Sequence, residues 1–307
     1  MVMSLLLLCS CGKKKVLNEA NEAVDSYNTA AETYNEGVKA YNAVIDDIEQ
    51  ANKELQDLID SAQALLDDGD IPYEESTIND LKNALSDAES KKVDIPTQYE
   101  EVEIMTVSEN AKKKELKKKV EEANKAKDEL SSKTIPDLPE IPDYSLYVNA
   151  IKKAQENYEK SVEIMNQITA PSDDFVMKRL EKIETITDMA GVTEDNDPNG
   201  QLNKQGGYIG CIYFSDSQVD KSELYYGDGD SVIDIGTDGG GAVEIFPTIE
   251  DAETRDLYLS GFDGMGFMNS GSHYVEGTCV IRTSRFLTAT QQKELTEEIR
   301  QVLIEMD

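Results

Sequence analysis

The residues with coordination or nucleophilic chemistry are few. His273 is the one histidine in 307 residues, and beyond Cys9 and Cys11 there are only two cysteines, Cys211 and Cys279. That is too few for a Cys/His zinc site, and it removes most Ser-His and Cys-His catalysis. Carboxylates remain. Asp195, Asp197 and Asn199 occupy positions 1, 3 and 5 of a D-x-D-x-N-G loop, with Gly200 at the sharp turn and apolar Leu202 at position 8. Oxygen ligands at alternate positions can converge on one calcium ion. Position 12 is Gly206 instead of a bidentate glutamate, so two readings stay open: a weak calcium site, or a linker whose side chains cap their own turns. Cys211 and Cys279 fall in predicted strands, either as a possible disulfide or as two separately buried thiols. Gly227 to Asp230 and Asp238 to Gly241 read as tight turns, because the second glycine run enters a strand where a phosphate cradle would open a helix. His273, beside Tyr274, reads as a half-exposed strand residue.

Composition sets the wider frame. The chain has 62 acidic and 30 basic residues, net −32, with no Trp, 39% hydrophobic and 7% aromatic residues. This charge argues against nucleic acid, whose recognition needs a basic footprint. The low apolar share points to something elongated rather than to a compact globule.

At the N-terminus an apolar run, Leu5 to Leu8, meets Lys13 to Lys15 across a short Cys/Ser/Gly stretch. Crossing a bilayer takes about 20 apolar residues, so this run reads as a processing signal. The basic region that normally precedes such a run is missing, and we expect the true start to lie further upstream. Leu8-Cys9-Ser10-Cys11 resembles a bacterial lipobox. The resemblance implies that Cys11 becomes the acylated first residue, that its acyl chains (palmitate or similar) hold the protein at the extracytoplasmic face of the cell membrane, and that the lysines face anionic headgroups.

From Leu17 to Leu66 the apolar residues follow a heptad. One row holds Leu17, Val24, Ala31, Val38, Ile45, Asn52, Ile59 and Leu66; the other holds Ala20, Tyr27, Tyr34, Tyr41, Ile48, Leu55 and Ala62. This predicts a long coiled-coil helix ended near Gly69 and Pro72, with Asn52 as its polar core position. Further helices are predicted over 76–92, 98–131 and 144–168, and from Pro171 to Ala190, with Ile135 to Pro142 a stiff connector. The Tyr27-Asn28, Tyr34-Asn35 and Tyr41-Asn42 repeat reads as core tyrosines. Residues 17–68 carry 13 acids and 2 lysines, whereas residues 108–133 carry 9 lysines and 6 acids. Opposite signs favour an antiparallel hairpin within the chain, and the lysine block otherwise suits a membrane surface or polyanion. A dimer through the seam, with Asn52 fixing partner number, makes the region a scaffold instead.

Near Val192 glycines and β-branched runs appear. Strands are expected over 208–214, 231–235 and 242–246 and within 273–283, with helices at 249–260 and 288–306 covering one face of the sheet. The fold class is therefore mixed: a long α-helical coiled-coil or bundle region, then a small α+β domain with a mainly antiparallel sheet. The boundaries are 1–15 signal and tether, 16–190 helical, 191–207 linker, and 208–307 α+β domain.

Glu194 to Gly200, Gly206-Gly207-Tyr208, Gly239 to Phe246, Asp251 to Arg255 with Tyr258, and Val280-Ile281-Arg282 with Leu287-Thr288 resemble an uncharacterised C-terminal domain of predicted lipoproteins and surface proteins of Gram-positive bacteria. The resemblance spans most of 193–307 and implies an extracytoplasmic setting. The expectation is a non-enzymatic surface lipoprotein whose helical stalk displays a binding domain to an extracellular protein or envelope polymer, as monomer or coiled-coil dimer and without a cofactor, calcium apart. An envelope hydrolase built on C-terminal carboxylates is the alternative activity.

Overall fold

The computed structural model describes residues 5–224, 231–265 and 271–306, with side chains from residue 12 onward apart from Glu223. The architecture is mixed, as expected: helices first, then an antiparallel five-stranded sheet. Two compact units emerge, Met1–Gln63 with Ala84–Ile151, and Ala64–Asn83 with Lys152–Asp307. No helix among the described residues is long and apolar enough to cross a membrane.

The helical unit is organised by α1 (Leu5–Asp67), 63 residues long. Its heptad rows are buried at Val24, Ala31, Val38, Ile45 and Ile59 on one side and Ala20, Tyr27, Tyr41, Ile48 and Leu55 on the other. The cover comes from the same chain. Leu116, Ala123 and Leu130 of α3 (Lys113–Ser131) pack on Val16, Ala20, Val24, Tyr27 and Ala31. The expected antiparallel hairpin does not form: α3 runs parallel to α1, with Lys113 beside Gly12, Lys127 on Ser26 and Lys133 over the Tyr34 ring. Residues 93–107 make the return run, and they do so without helical hydrogen bonds, which corrects the helix expected from residue 98. The two other helices that contribute to this unit are α2 (Ser76–Glu89) and α4 (Ser145–Gln167).

Asparagines of α1 hold that extended strap. Asn42 donates to the Tyr99 carbonyl at 2.8 Å and accepts from its N–H at 3.0 Å. Asn35 does the same to Val102 at 2.8 and 2.8 Å, and Asn28 to Met105 at 2.9 and 2.7 Å. Seven helical residues advance about 10.5 Å and three extended residues about 10 Å, so the two repeats stay in step. Each rung supplies the donor and acceptor that a neighbouring strand would otherwise give. Asn52 makes a fourth rung with a spacer. It donates to the Val93 carbonyl at 2.8 Å, while the Tyr144 hydroxyl accepts from the Val93 N–H at 3.0 Å and donates to Asn52 Oδ1 at 2.6 Å. Its polarity is used inside the chain, so the reading of Asn52 as a device for partner number is replaced. The strap also explains the misread helix: Tyr99, Val102 and Met105 recur every third residue because that is the ladder's period, and i, i+3 spacing imitates a helix.

In the sheet unit the strand order is β1 (Ile186–Gly191), β2 (Gly210–Asp216), β3 (Gly240–Ile245), β5 (Cys279–Thr283) and β4 (Ser272–Glu276), antiparallel throughout. Helices cover both faces, not one. On one face Val176 and Leu180 of α5 (Asp173–Leu180) and Leu295, Ile299 and Leu303 of α8 (Ala289–Ile304) pack with Ile212, Phe214, Val243 and Ile281. On the other, Val232 and Ile233 of α6 (Val232–Ile235) and Ala252 and Leu259 of α7 (Ile249–Ser260) pack with Cys211, Tyr213, Ala242 and Val280. Alternation along each strand separates the two sets. Gly241 is required where the Phe214 ring and the Arg282 carbonyl close over β3, since an added Cβ would lie 2.4 Å and 2.2 Å from them.

The boundary at residue 190 moves as well. Ile168, Val176, Leu180 and Ile183 belong to the sheet unit's core, and β1 lies in the expected helix to Ala190. The expected strand at 231–235 is α6, opened by Ser231, whose hydroxyl accepts from the Asp234 N–H at 3.2 Å.

Replacing Asn35 with Ala should strand the Val102 N–H and carbonyl and destabilise the helical unit by about 1–3 kcal/mol. The amide of Val102 should exchange with deuterium faster than those of Tyr99 and Met105. Asn35→Gln should not rescue it, because the longer side chain puts the amide out of register; equal protection in the wild type and Asn35→Ala would refute the ladder.

Candidate functional site

β3 is the central strand, and every residue in it is buried. Alternation sends Ala242 and Glu244 to the face covered by α6 and α7. A carboxylate there is cut off from bulk solvent and must be paired. Arg255 of α7 takes both oxygens, Nε to Oε2 at 2.6 Å and Nη2 to Oε1 at 2.9 Å. Arg282 of β5 adds Nη1 to Oε1 at 2.7 Å. Burial pushes the Glu244 carboxyl up, but the hydrogen bonds and charges of Arg255 and Arg282 outweigh it and hold Glu244 below the ordinary glutamate range. Burial likewise works against the Arg255 cation, and the Glu244 contact reverses that, keeping it charged. The cluster has two guanidiniums and one carboxylate. Buried Arg282 Nε meets no acceptor among the described residues.

The 191–207 stretch is not a free linker; it folds over the neighbouring strand end with Val192, Leu202 and Tyr208 in the core. Asp197 is its organiser. One oxygen accepts from the backbone N–H of Gln201 at 2.6 Å and of Leu202 at 2.8 Å; the other accepts from Asn199 N–H at 3.0 Å and from the Tyr208 hydroxyl. Burial raises the Asp197 carboxyl and these donors lower it further, for a net depression. The Asn199 side-chain nitrogen turns inward, donating to the Tyr213 hydroxyl at 3.0 Å. Of the two readings of Asp195, Asp197 and Asn199, these contacts favour the turn-capping one over calcium. The lone pairs of Asp197 are used by the loop's own N–H groups and the Tyr208 hydroxyl, and no group of three or more His, Cys, Asp or Glu side chains able to hold a metal occurs among the described residues.

Beside this loop lies a cleft of about 450 Å³, lined by Tyr208, Phe246 and Tyr258 together with Asn199, Gln201, Thr254 and Arg255. Tyr208 is held by Asp197 and packs edge-on to Phe246, with ring centroids 6.4 Å apart. Burial and the Asp197 contact push the Tyr208 phenol well up, and burial does the same to Tyr213. A larger open groove of about 1000 Å³ lies beside α8. Its charged lining is exposed, Lys182 and Glu184 with Lys293, Glu294, Glu297 and Glu298 of α8, a solvated surface of both signs.

The remaining candidates scatter. Cys211 and Cys279 are free and buried. Cys211 pairs with Glu244 and Cys279 with Ile245, so the two thiols lie on opposite faces of the sheet and the possible disulfide is excluded by pleat geometry. Burial raises the Cys211 thiol strongly and the Cys279 thiol to about 12. His273, on β4 opposite Arg282, places Nδ1 2.6 Å from Asp256 and Nε2 3.4 Å from Asp263. Three of the seven α3 lysines pair along their own helix, Lys118 and Lys119 with Glu122 and Lys125 with Glu129. The Cys11 side chain and the Gly227 to Asp230 turn lie outside the described residues. The Glu244–Arg255–Arg282 cluster was not foreseen as a site. Its signal was a lone charge inside each of two apolar strands, AVEIF and CVIR, with opposite signs. Comparison with family models, curated proteins and solved structures returned no match.

Two outcomes follow from these contacts. Glu244 titrates below its unfolded value of 4.5, so its stabilisation is full above that pH and is lost as pH falls through the lower, folded value. Thermal melts should show Glu244→Gln costing about 3–5 kcal/mol at pH 7, where two buried guanidiniums lose their partner, and a shallower decline below pH 4.5. Millimolar calcium should leave the wild-type melt unchanged, while Asp197→Ala should lower it by about 1–3 kcal/mol through unsatisfied N–H groups, with or without the ion.

Proposed function

We propose that the chain is a lipid-anchored protein of the extracytoplasmic membrane face, acylated at Cys11, in which the helical unit serves as stalk and the sheet unit as a non-enzymatic binding module for an extracellular protein or envelope polymer. The anchor rests on Leu8 to Cys11 and the lysine tether that follows.

The binding role rests on one observation, the fixed charge states around the cleft. Proton transfer needs a group whose pKa lies near the working pH. Here Glu244 and Asp197 are driven down, and Tyr208, Tyr213 and Arg255 are driven up. Cys211, the thiol nearest Glu244, is buried and its pKa is raised, which suits packing rather than attack. Tyr208 and Arg255, which line the cleft, therefore offer a constant phenol and a constant guanidinium, which is what recognition uses.

Expressed from its own locus with the upstream region intact, the protein should fractionate with membranes, and Cys11→Ala should release it to the soluble fraction. Retention of Cys11→Ala in the membrane, at a level equal to wild type, would refute the anchor.

A further inference from the structure

The cleft's chemistry can be taken a step further if the sheet unit is the binding module. In a chain of net charge −32, the only charged residue among the described ones lining the cleft is an arginine. Arg255 is partly open to it, its side chain 23% exposed. A guanidinium has five N–H donors arranged as two forks and one remaining N–H. Glu244 uses the Nε/Nη2 fork of Arg255. The end fork, Nη1 with the second N–H of Nη2, has no acceptor among the described residues. Arg282 shows the same surplus, since its buried Nε also lacks one. The cluster thus carries one positive charge more than Glu244 neutralises.

We infer that the cleft binds a ligand carboxylate, held by the end fork of Arg255 and flanked by the rings of Tyr208, Phe246 and Tyr258. The planar fork matches a carboxylate's two oxygens and favours it over a spherical anion. Asn199, Gln201 and Thr254 supply neutral polar contacts to the rest of the ligand. Asp197, which holds the Tyr208 wall, has both oxygens occupied by its own loop and by Tyr208, so it does not present a bare anion to the cleft. Tyr258, 59% exposed, lies under the Arg255 guanidinium, whose carbon is 5.4 Å from the ring centroid, and stacks edge-on with Phe262. That places an aromatic wall at the mouth, where an apolar or sugar-ring portion of the ligand would lie.

A carboxylate of this kind can come from a peptide terminus or from an acidic sugar. Calorimetric titration of the full chain with N-acetyltyrosine and with glucuronic acid separates the sources, and N-acetyltyrosinamide and glucose serve as their uncharged counterparts. Saturable binding of one carboxylate is expected, at least tenfold tighter than its counterpart. Arg255→Lys, which keeps the charge and loses the fork, should weaken it at least tenfold. Thr254→Trp, an exposed helix position that leaves the Glu244 contacts in place, should abolish it by filling the cleft. The inference is overturned if neither carboxylate saturates, if the uncharged counterpart binds equally, if inorganic phosphate binds tighter than both, or if Thr254→Trp binds as wild type. Binding of a neutral probe alone would keep the sheet unit as a binding module and reject the carboxylate; membrane fractionation tests the anchor separately.

Discussion

A carboxylate at the centre of a sheet, cut off from bulk solvent, dictates much of what surrounds it. Glu244 is fully buried on β3, and burying an isolated charge costs several kcal/mol, a large part of a domain's stability margin. Two arginines arrive from different elements, α7 and β5, and their positions depend on each other through that one group. Ala242 is the small residue paired opposite both Tyr213 and Arg282. Fixing Arg255 by one fork aims the other away from Glu244. A structural ion pair thereby sets the direction of a donor pair at the edge of a cleft.

The helical unit meets a similar demand with neutral groups. An extended segment beside a helix has N–H and carbonyl groups with nowhere to pair, because a helix keeps its backbone bonds to itself. The asparagine ladder solves this with one side chain per rung, and the match of seven helical residues to three extended ones keeps successive rungs aligned. The hydroxyl of Tyr144 extends the rule to Asn52, where side-chain reach alone does not close the contact. The heptad therefore has two functions: its apolar rows bury α1 against α3, and its Tyr-Asn repeat orders the strap.

Loops that sequence motifs mark for ligands can be consumed by their own folding. Asp197 has the position and the charge of a calcium ligand, yet four donors reach it from within ten or so residues. The energy a cation would supply comes from backbone N–H groups and a phenol. The consequence is a rigid wall under Tyr208, and through Tyr208 a defined shape for the cleft.

The sequence by itself determined the class of architecture and the long helix, since heptad periodicity and helix-ending glycine and proline act over a few turns. It determined the strands at 208–214, 242–246 and 273–283, where apolar, β-branched runs are bounded by turn residues. It did not reveal the strap, because the groups that satisfy its backbone lie 41 to 77 positions away. Nor did it reveal that β1 belongs to the sheet: as an edge strand, ITDMAG is half-polar and lacks the apolar signature of a central one. Tertiary structure alone decided that Cys211 and Cys279 face apart, that Asp197 is spent, and that Glu244, Arg255 and Arg282 converge. Each depends on strand register and helix placement, which are fixed by packing across the sheet and not by any local run of residues.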